Sequence, residues 1–269
     1  MPIAPYLVNL IVFVLGACIG SFLNVVIYRL PAKISLIHPP SRCPHCLHPL
    51  GITENVPVFG WLWLGGKCRW CKTPISFRYP LVEAITGLLF VFIFLQFGIS
   101  WLTLGYFIFV SWLISLALID FDTLTLPNVL TQTGLVVGLI FQTALGFLHN
   151  GIAGASQFLF TAILSAVIGI WLFDAILIVG TFVFGKPAMG GGDPKLVAMI
   201  GVWLGWQNVL ITGFLACLVG TFFGLSAIAL GGLKKGQPMP FGPFLVVGAI
   251  ITLFYGDGLL SAYLDYMFN

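Results

Sequence analysis

The chain has 269 residues, of which 59% are apolar and 7% charged, and its formal net charge is +3. Ordinary globular domains carry about 25% charged residues, so a chain this poor in charge cannot cover a water-facing surface, and a soluble globular protein is excluded. The composition predicts an all-α polytopic membrane protein. There is no basic run of the nucleic-acid-binding kind, so no nucleic-acid partner is expected.

A membrane span needs ~20 mostly apolar residues. The first candidate is 7–27. It lacks both the Lys or Arg that opens a signal peptide and a small-residue cleavage site, so it reads as a retained span. A polar loop follows, and further apolar stretches lie at 81–98, 101–119, 129–148, 156–184, 207–230 and 241–262. A shorter piece, 194–205, is about half a bilayer deep. Pro80, Pro127, Gly190-Gly191-Gly192 and Gly231-Gly232 punctuate the joins, and no internal repeat stands out. This divides the chain into a first transmembrane helix (1–28), a soluble loop (29–79) and a multi-helix membrane domain (80–269).

The 11 basic residues orient the chain. Arg29, Lys33, Arg42, Lys67, Arg69, Lys72 and Arg78 lie in the one polar loop, and the others are Lys186, Lys195, Lys234 and Lys235. With the N-terminus outside and about eight spans, all of them fall on the cytoplasmic side or at its edge, as the positive-inside bias requires. Seven spans would put Lys234 and Lys235 outside.

The loop contains Cys43-Pro44-His45-Cys46 and Cys68-Arg69-Trp70-Cys71. Two such knuckles have the spacing of a closed, structural tetrahedral zinc site. A loop of this size has too little apolar surface to fold unaided, and a metal would supply the missing stability. The alternatives are free thiols or disulfides, and disulfides need an oxidising compartment. His45 and His48 read as bystanders, and Cys18 and Cys217 as small core residues.

Eight acids remain to be explained. Asp257 and Asp265 lie near the outer end of the chain and Glu54 in the loop, which leaves Glu83, Asp120, Asp122, Asp174 and Asp193. Ionisable groups at membrane-helix ends are costly and mark functional sites. Asp120 and Asp122 end an apolar span just before Leu126-Pro127-Asn128, and Asp193 follows three glycines. Both positions fall at cytoplasmic span ends, so the two acids can meet. A carboxylate pair can share one proton, one member acting as base on water and the other as acid on the scissile carbonyl. The competing readings are structural: Asp193 as an N-cap with Pro194 at the first helical position, and Asp120 or Asp122 as a turn cap. Asp174, deep in the fifth span, would pair across helices or line a polar cavity. A transporter with proton-relay aspartates is the alternative function, but the paired broken helices it needs are not visible.

At these residues the sequence resembles the type IV prepilin peptidases, the bifunctional leader peptidases and N-methyltransferases. Gly190-Gly191-Gly192-Asp193 with Lys195-Leu196 looks like the family's Gly-x-Gly-Asp stretch, and Asp120 to Pro127-Asn128 like its other aspartate motif. Gly20-Ser21-Phe22-Leu23-Asn24 through Arg29-Leu30-Pro31, the four-cysteine frame, Ile75 to Pro80 with Glu83, and Pro240-Phe241-Gly242-Pro243-Phe244 match in order. Gly60 and Gly65 depart, standing where the family often has Ser and a basic residue.

The resemblance implies an intramembrane aspartic endopeptidase of the bacterial inner membrane, with Asp120 and Asp193 catalytic and Asp122 only a neighbour. The spacing of Cys43, Cys46, Cys68 and Cys71 makes them the expected Zn(2+) ligands. The substrates would be prepilins or pseudopilins, cut after Gly on the cytoplasmic side to remove a short basic leader. The new N-terminal residue would then be N-methylated with S-adenosyl-L-methionine, in which the cysteine loop is implicated. Asn24, Arg29, Arg78 and Glu83 are candidates for the methyl-donor site. Glu83 is also a candidate for receiving the basic leader, because the basic loop would not attract it.

Overall fold

A computed structural model describes residues 4–185, 189–232, 237 and 239–268, and no strand occurs among them. Lys186, Lys234 and Lys235 of the charge count lie outside the described residues. The helices are α1 (Ala4–Arg29), α2 (Phe59–Trp63), α3 (Arg78–Phe97), α4 (Trp101–Thr123), α5 (Asn128–Phe184), α6 (Asp193–Leu204), α7 (Trp206–Ala229) and α8 (Gly242–Phe268). Six of these are long and apolar enough to cross a membrane: α1, α3, α4, α5, α7 and α8.

The fourth and fifth expected spans are both contained in α5, which breaks at Asn150 and Gly151. Gly151 takes φ 57°, which an L side chain rarely adopts. The chain turns back so sharply that a Cβ on Gly154 would meet the Gly146 carbonyl. A polar Asn-Gly pair between apolar stretches is the signal for this turn. The eighth expected span is α6, whose 12 residues rise about 18 Å against a hydrocarbon core of about 30 Å. Most of its residues are buried.

The chain forms two compact units, Met1–Ser115 and Leu116–Asn269. In the first unit α1 packs on α3. A Cβ on Gly16 would lie 2.8 Å from the Gly87 Cα, and one on Gly20 2.8 Å from the Glu83 Cα, so small residues let the backbones touch. The Asn24 amide donates to the Tyr79 carbonyl at 3.1 Å and ties the two helices at their loop ends.

In the second unit α6 is gripped by both halves of α5. The Trp203 indole N–H donates to the Gly134 carbonyl at 3.0 Å, and the Gln142 amide donates to the Val202 and Trp203 carbonyls at 3.2 and 3.1 Å. Ala198 and Val202 bury against Ala162 and Ala166. Helices α7 and α8 join through a Thr212–Thr252 hydroxyl bond of 3.2 Å, polar glue of the kind membrane interfaces use.

Cys18 and Cys217 are exposed on α1 and α7 rather than set in the core. An apolar thiol suits the outer face of a membrane helix as well as its packed face.

Candidate active site and metal centre

Asp120 sits in the last turn of α4 and is 5% exposed, whereas Asp122, two residues on, is exposed. The Asp120 carboxylate reaches the start of α8, where the Gly242 N–H donates to Oδ2 at 2.9 Å. The first N–H groups of a helix have no intrahelical partner, and this carboxylate supplies one. A Cβ on Gly242 would stand 2.7 Å from the same oxygen, so only glycine permits the approach.

Asp193 opens α6 and is 3% exposed. Its carboxylate turns back rather than forward, and Oδ2 accepts the Gly190 N–H at 2.9 Å. The helix N-cap is Gly192, not Asp193, with Pro194 in the first turn and no side-chain cap bond. The capping role weighed for Asp193 is therefore not what its side chain does. The triple glycine divides its work. Gly192 packs on Leu126, whose Cβ would be 2.8 Å from a Cβ there; Gly190 supplies the amide; nothing lies within 4 Å of a Cβ on Gly191.

The two aspartates belong to one compact unit, and Asp193 lies within coulombic reach of Asp120. Just beside them the Lys195 ammonium donates to Asn128 Oδ1 at 2.8 Å, linking the two sequence motifs directly. Asp174 is half-buried on the second half of α5, with no hydrogen-bond or ion-pair partner among the described residues.

In the first unit the four cysteine sulfurs lie within 4.8 Å of one another. Cys43 and Cys71 Sγ are 3.7 Å apart, and Cys46 and Cys68 Sγ 3.9 Å apart. Tetrahedral Zn–S bonds of about 2.3 Å put sulfurs about 3.8 Å apart, so the cluster fits a four-thiolate metal.

The two knuckles are built alike. The Cys43 N–H bonds the His48 carbonyl and the Leu47 N–H the Cys43 carbonyl; the Cys68 N–H bonds the Thr73 carbonyl and the Lys72 N–H the Cys68 carbonyl. Leu47 and Lys72 take φ of 58° and 59°, and the bridges Arg42–Pro49 and Lys67–Pro74 close the two turns. This duplication is readable in the sequence as basic-Cys-x-x-Cys-x-x-Pro, a short repeat that a search at domain scale misses.

The Cys71 thiol is lowered to about 6, first by the Thr73 hydroxyl and then by the Thr73 backbone. The His48 backbone pulls Cys46 down, but desolvation and the neighbouring sulfurs outweigh it and push it up to about 11. Four sulfurs so close cannot all be thiolates without a cation among them. His48 instead stacks near Trp70, with ring centroids 4.3 Å apart.

Glu83, expected at the basic leader, faces the loop. Its Oε2 accepts the Val58 N–H at 2.6 Å, and it also bonds Ser21. Val58 has φ 62° and ψ −55°, and the Phe59 N–H bonds the Pro57 carbonyl at 2.6 Å. That is a γ-turn with positive φ, strained for a β-branched residue, and the Glu83 carboxylate holds it. Arg29 donates to the Ser35 and Leu36 carbonyls and pins the loop's first turn. Gly60 needs its missing side chain, because a Cβ would lie 2.5 Å from the Glu54 carbonyl oxygen. A serine at this position would require the backbone to shift.

Residues 107–225 match the model of the type IV leader peptidase family, and residues 14–97 that of the bacterial peptidase A24 N-terminal domain. The chain belongs to the type IV leader peptidase family. It is similar to a prepilin leader peptidase/N-methyltransferase of Aeromonas hydrophila, 38% identical over 97% of this chain and 95% of that one. A protein of the same name from Pseudomonas aeruginosa is 36% identical over 99% of both chains, and one from Neisseria gonorrhoeae 38% identical over 93% of this chain and 91% of its own. No solved structure matches significantly. Within this leader peptidase the matched families cover both the cysteine loop and the two aspartates.

Proposed function

We propose that this protein is a bifunctional prepilin leader peptidase and N-methyltransferase, with Asp120 and Asp193 as its catalytic pair. One observation carries the peptidase half. Two buried aspartates of one unit lie within coulombic reach, and a glycine N–H at or beside a helix start orients each carboxylate.

The pair shares one proton. The ionised member takes a proton from water as its oxygen attacks the scissile carbonyl carbon, and the protonated member gives its proton to the carbonyl oxygen. Collapse returns that proton to the leaving amine, so one water is consumed and the dyad is restored. The backbone amides of Gly242 and Gly190 fix the carboxylates without adding a charge. The openness around Gly191 gives an extended substrate backbone room to approach.

The chain would sit in the bacterial inner membrane with its N-terminus outside, and the aspartates and cysteine loop would face the cytoplasm. The positive-inside distribution supports this topology. The substrates would be prepilins and pseudopilins, cut after Gly behind a short basic leader. Zn(2+) on Cys43, Cys46, Cys68 and Cys71 would hold the loop together as a structural metal. S-adenosylmethionine would supply an electrophilic methyl group to the new N-terminal amine, which loses one proton. The relatives' name supports this second activity.

The decisive test is to make Asp120→Asn and Asp193→Asn separately and follow cleavage of a prepilin in membranes. Each should lose at least 1,000-fold in turnover, on the order of 4 kcal/mol. Near wild-type turnover by either variant refutes the pair.

A further inference from the structure

Residues 55–66 belong to the polar loop, yet none of these 12 carries a charge, and they include two tryptophans, a phenylalanine, two leucines and two valines. Helix α2 runs through the stretch, and its two sides differ. On the inner side Gly60 is buried against the Glu54 carbonyl. The Trp61 indole N–H donates to the Ile75 carbonyl at 3.0 Å, and its ring stands edge-on to Phe77. Phe59, Leu62 and Trp63 are spaced i, i+3, i+4, which puts them on one helical face. They are 63%, 58% and 90% exposed. A contiguous aromatic face of this kind marks a surface that something apolar covers.

We propose that this face of α2 lies in the bilayer, at the boundary of headgroups and acyl chains in the leaflet nearest the loop. The inference goes beyond the proposed function and needs neither activity. Depth decides for lipid over a protein partner. The Val58 N–H, at the start of α2, donates to Glu83 Oε2 at 2.6 Å. Glu83 is the sixth residue of α3, a helix of 20 residues. Such a helix rises about 30 Å, the thickness of the hydrocarbon core. A helical side chain leans back towards the start of its helix, so Val58 is held within about the first 8 Å of α3. Interfacial helices lie about 5–10 Å into the same boundary.

Two further observations agree with that depth. Tyr28 and Tyr79 are exposed at the loop ends of α1 and α3, where interfacial aromatics collect. Either side of Glu83 in the sequence, Leu81 and Ile85 are exposed, so lipid reaches α3 at this level. Charge suits the same surface. Lys67 and Lys72 follow the uncharged stretch and are exposed, while Glu54, the acid just before it, already pairs with Arg69 at 3.9 Å. Ammonium groups so placed meet the phosphates of anionic headgroups. The loop is thereby moored at a third point, between its attachments to α1 and α3.

The test uses the full chain in nanodiscs of phosphatidylcholine and phosphatidylglycerol. Trp63 emission is read as the difference between wild type and Trp63→Phe. Acyl chains brominated near the headgroup should quench at least about half of that difference, chains brominated near their ends less, and aqueous iodide should leave it unchanged. Quenching by iodide and by neither lipid overturns the proposal. A benzophenone amino acid in place of Trp63, irradiated in native membranes, needs no difference spectrum and reads the occupant directly. Phospholipid adducts are expected. Adducts only to a second copy of the chain, or only to another protein, overturn the lipid assignment.

Discussion

Gly242 stands 122 residues from Asp120 and belongs to no aspartate motif, yet its N–H holds the carboxylate proposed as catalytic. Replacing it with alanine places a Cβ 2.7 Å from Asp120 Oδ2, closer than van der Waals contact allows. The carboxylate must swing away, and the 2.9 Å bond from the Gly242 N–H goes with it. A hydrogen bond to a charged group contributes roughly 1.5–3 kcal/mol. If that energy is lost where the dyad must be aligned, turnover falls roughly 10- to 150-fold, because each 1.4 kcal/mol is a factor of ten. The assay is single-substrate cleavage of a purified prepilin in reconstituted membranes, with kcat and KM separated. The loss should appear in kcat, because the carboxylate acts in the transition state. Gly258→Ala is the control: it lies on the same helix and nothing stands within 4 Å of its Cβ, so activity should hold. A Gly242→Ala enzyme that turns over like wild type, with an unchanged melting temperature, refutes the assignment of Gly242 as the residue that positions Asp120.

Three further outcomes follow from the packing. Metal analysis of the purified chain should give about one zinc, lost together with loop structure when Cys43 and Cys68 are both changed to Ser; full metal content in that variant would refute a four-thiolate site. Gly60→Ala should destabilise the loop by about 1–3 kcal/mol, since the added carbon meets backbone rather than a movable side chain. Proteolysis within residues 41–76 should accelerate, while prepilin cleavage responds less than methylation. Trp203→Phe should lower the melting temperature, because the buried Gly134 carbonyl loses its indole partner, at about 1–3 kcal/mol; an unchanged melting temperature would mean that another donor takes its place.

Different features of this molecule reveal themselves to different kinds of reading. The membrane helices are legible because twenty apolar residues in a row have few other fates, and the cysteine cluster because a Cys-x-x-Cys turn can present two thiolates to one ion. The burial of Asp120 against the exposure of Asp122 was not legible from spacing, since both end the same helix. Only the family motifs separated them in advance. The role of Gly242 is invisible in its own motif, because its partner lies 122 residues away and no local pattern encodes that distance. Glu83 is a second case of a role without a local signal. Its carboxylate holds a strained turn at Val58 that the sequence Pro57-Val58-Phe59 does not announce. The place of 194–205 is half legible: its length marks it as shorter than the other spans, but not that both halves of α5 enclose it.

The second half of α5 has a consequence for the lipid. From 152 to 184 it rises about 50 Å, against a hydrocarbon core of about 30 Å. Such a helix must lean or emerge, and each choice couples the protein to the thickness of its surroundings. Asp174 lies 22 residues along that stretch, about 33 Å from its start. A core of about 30 Å that begins at 152 would end close to Asp174, so bilayer thickness and helix tilt together set how deep that carboxylate lies.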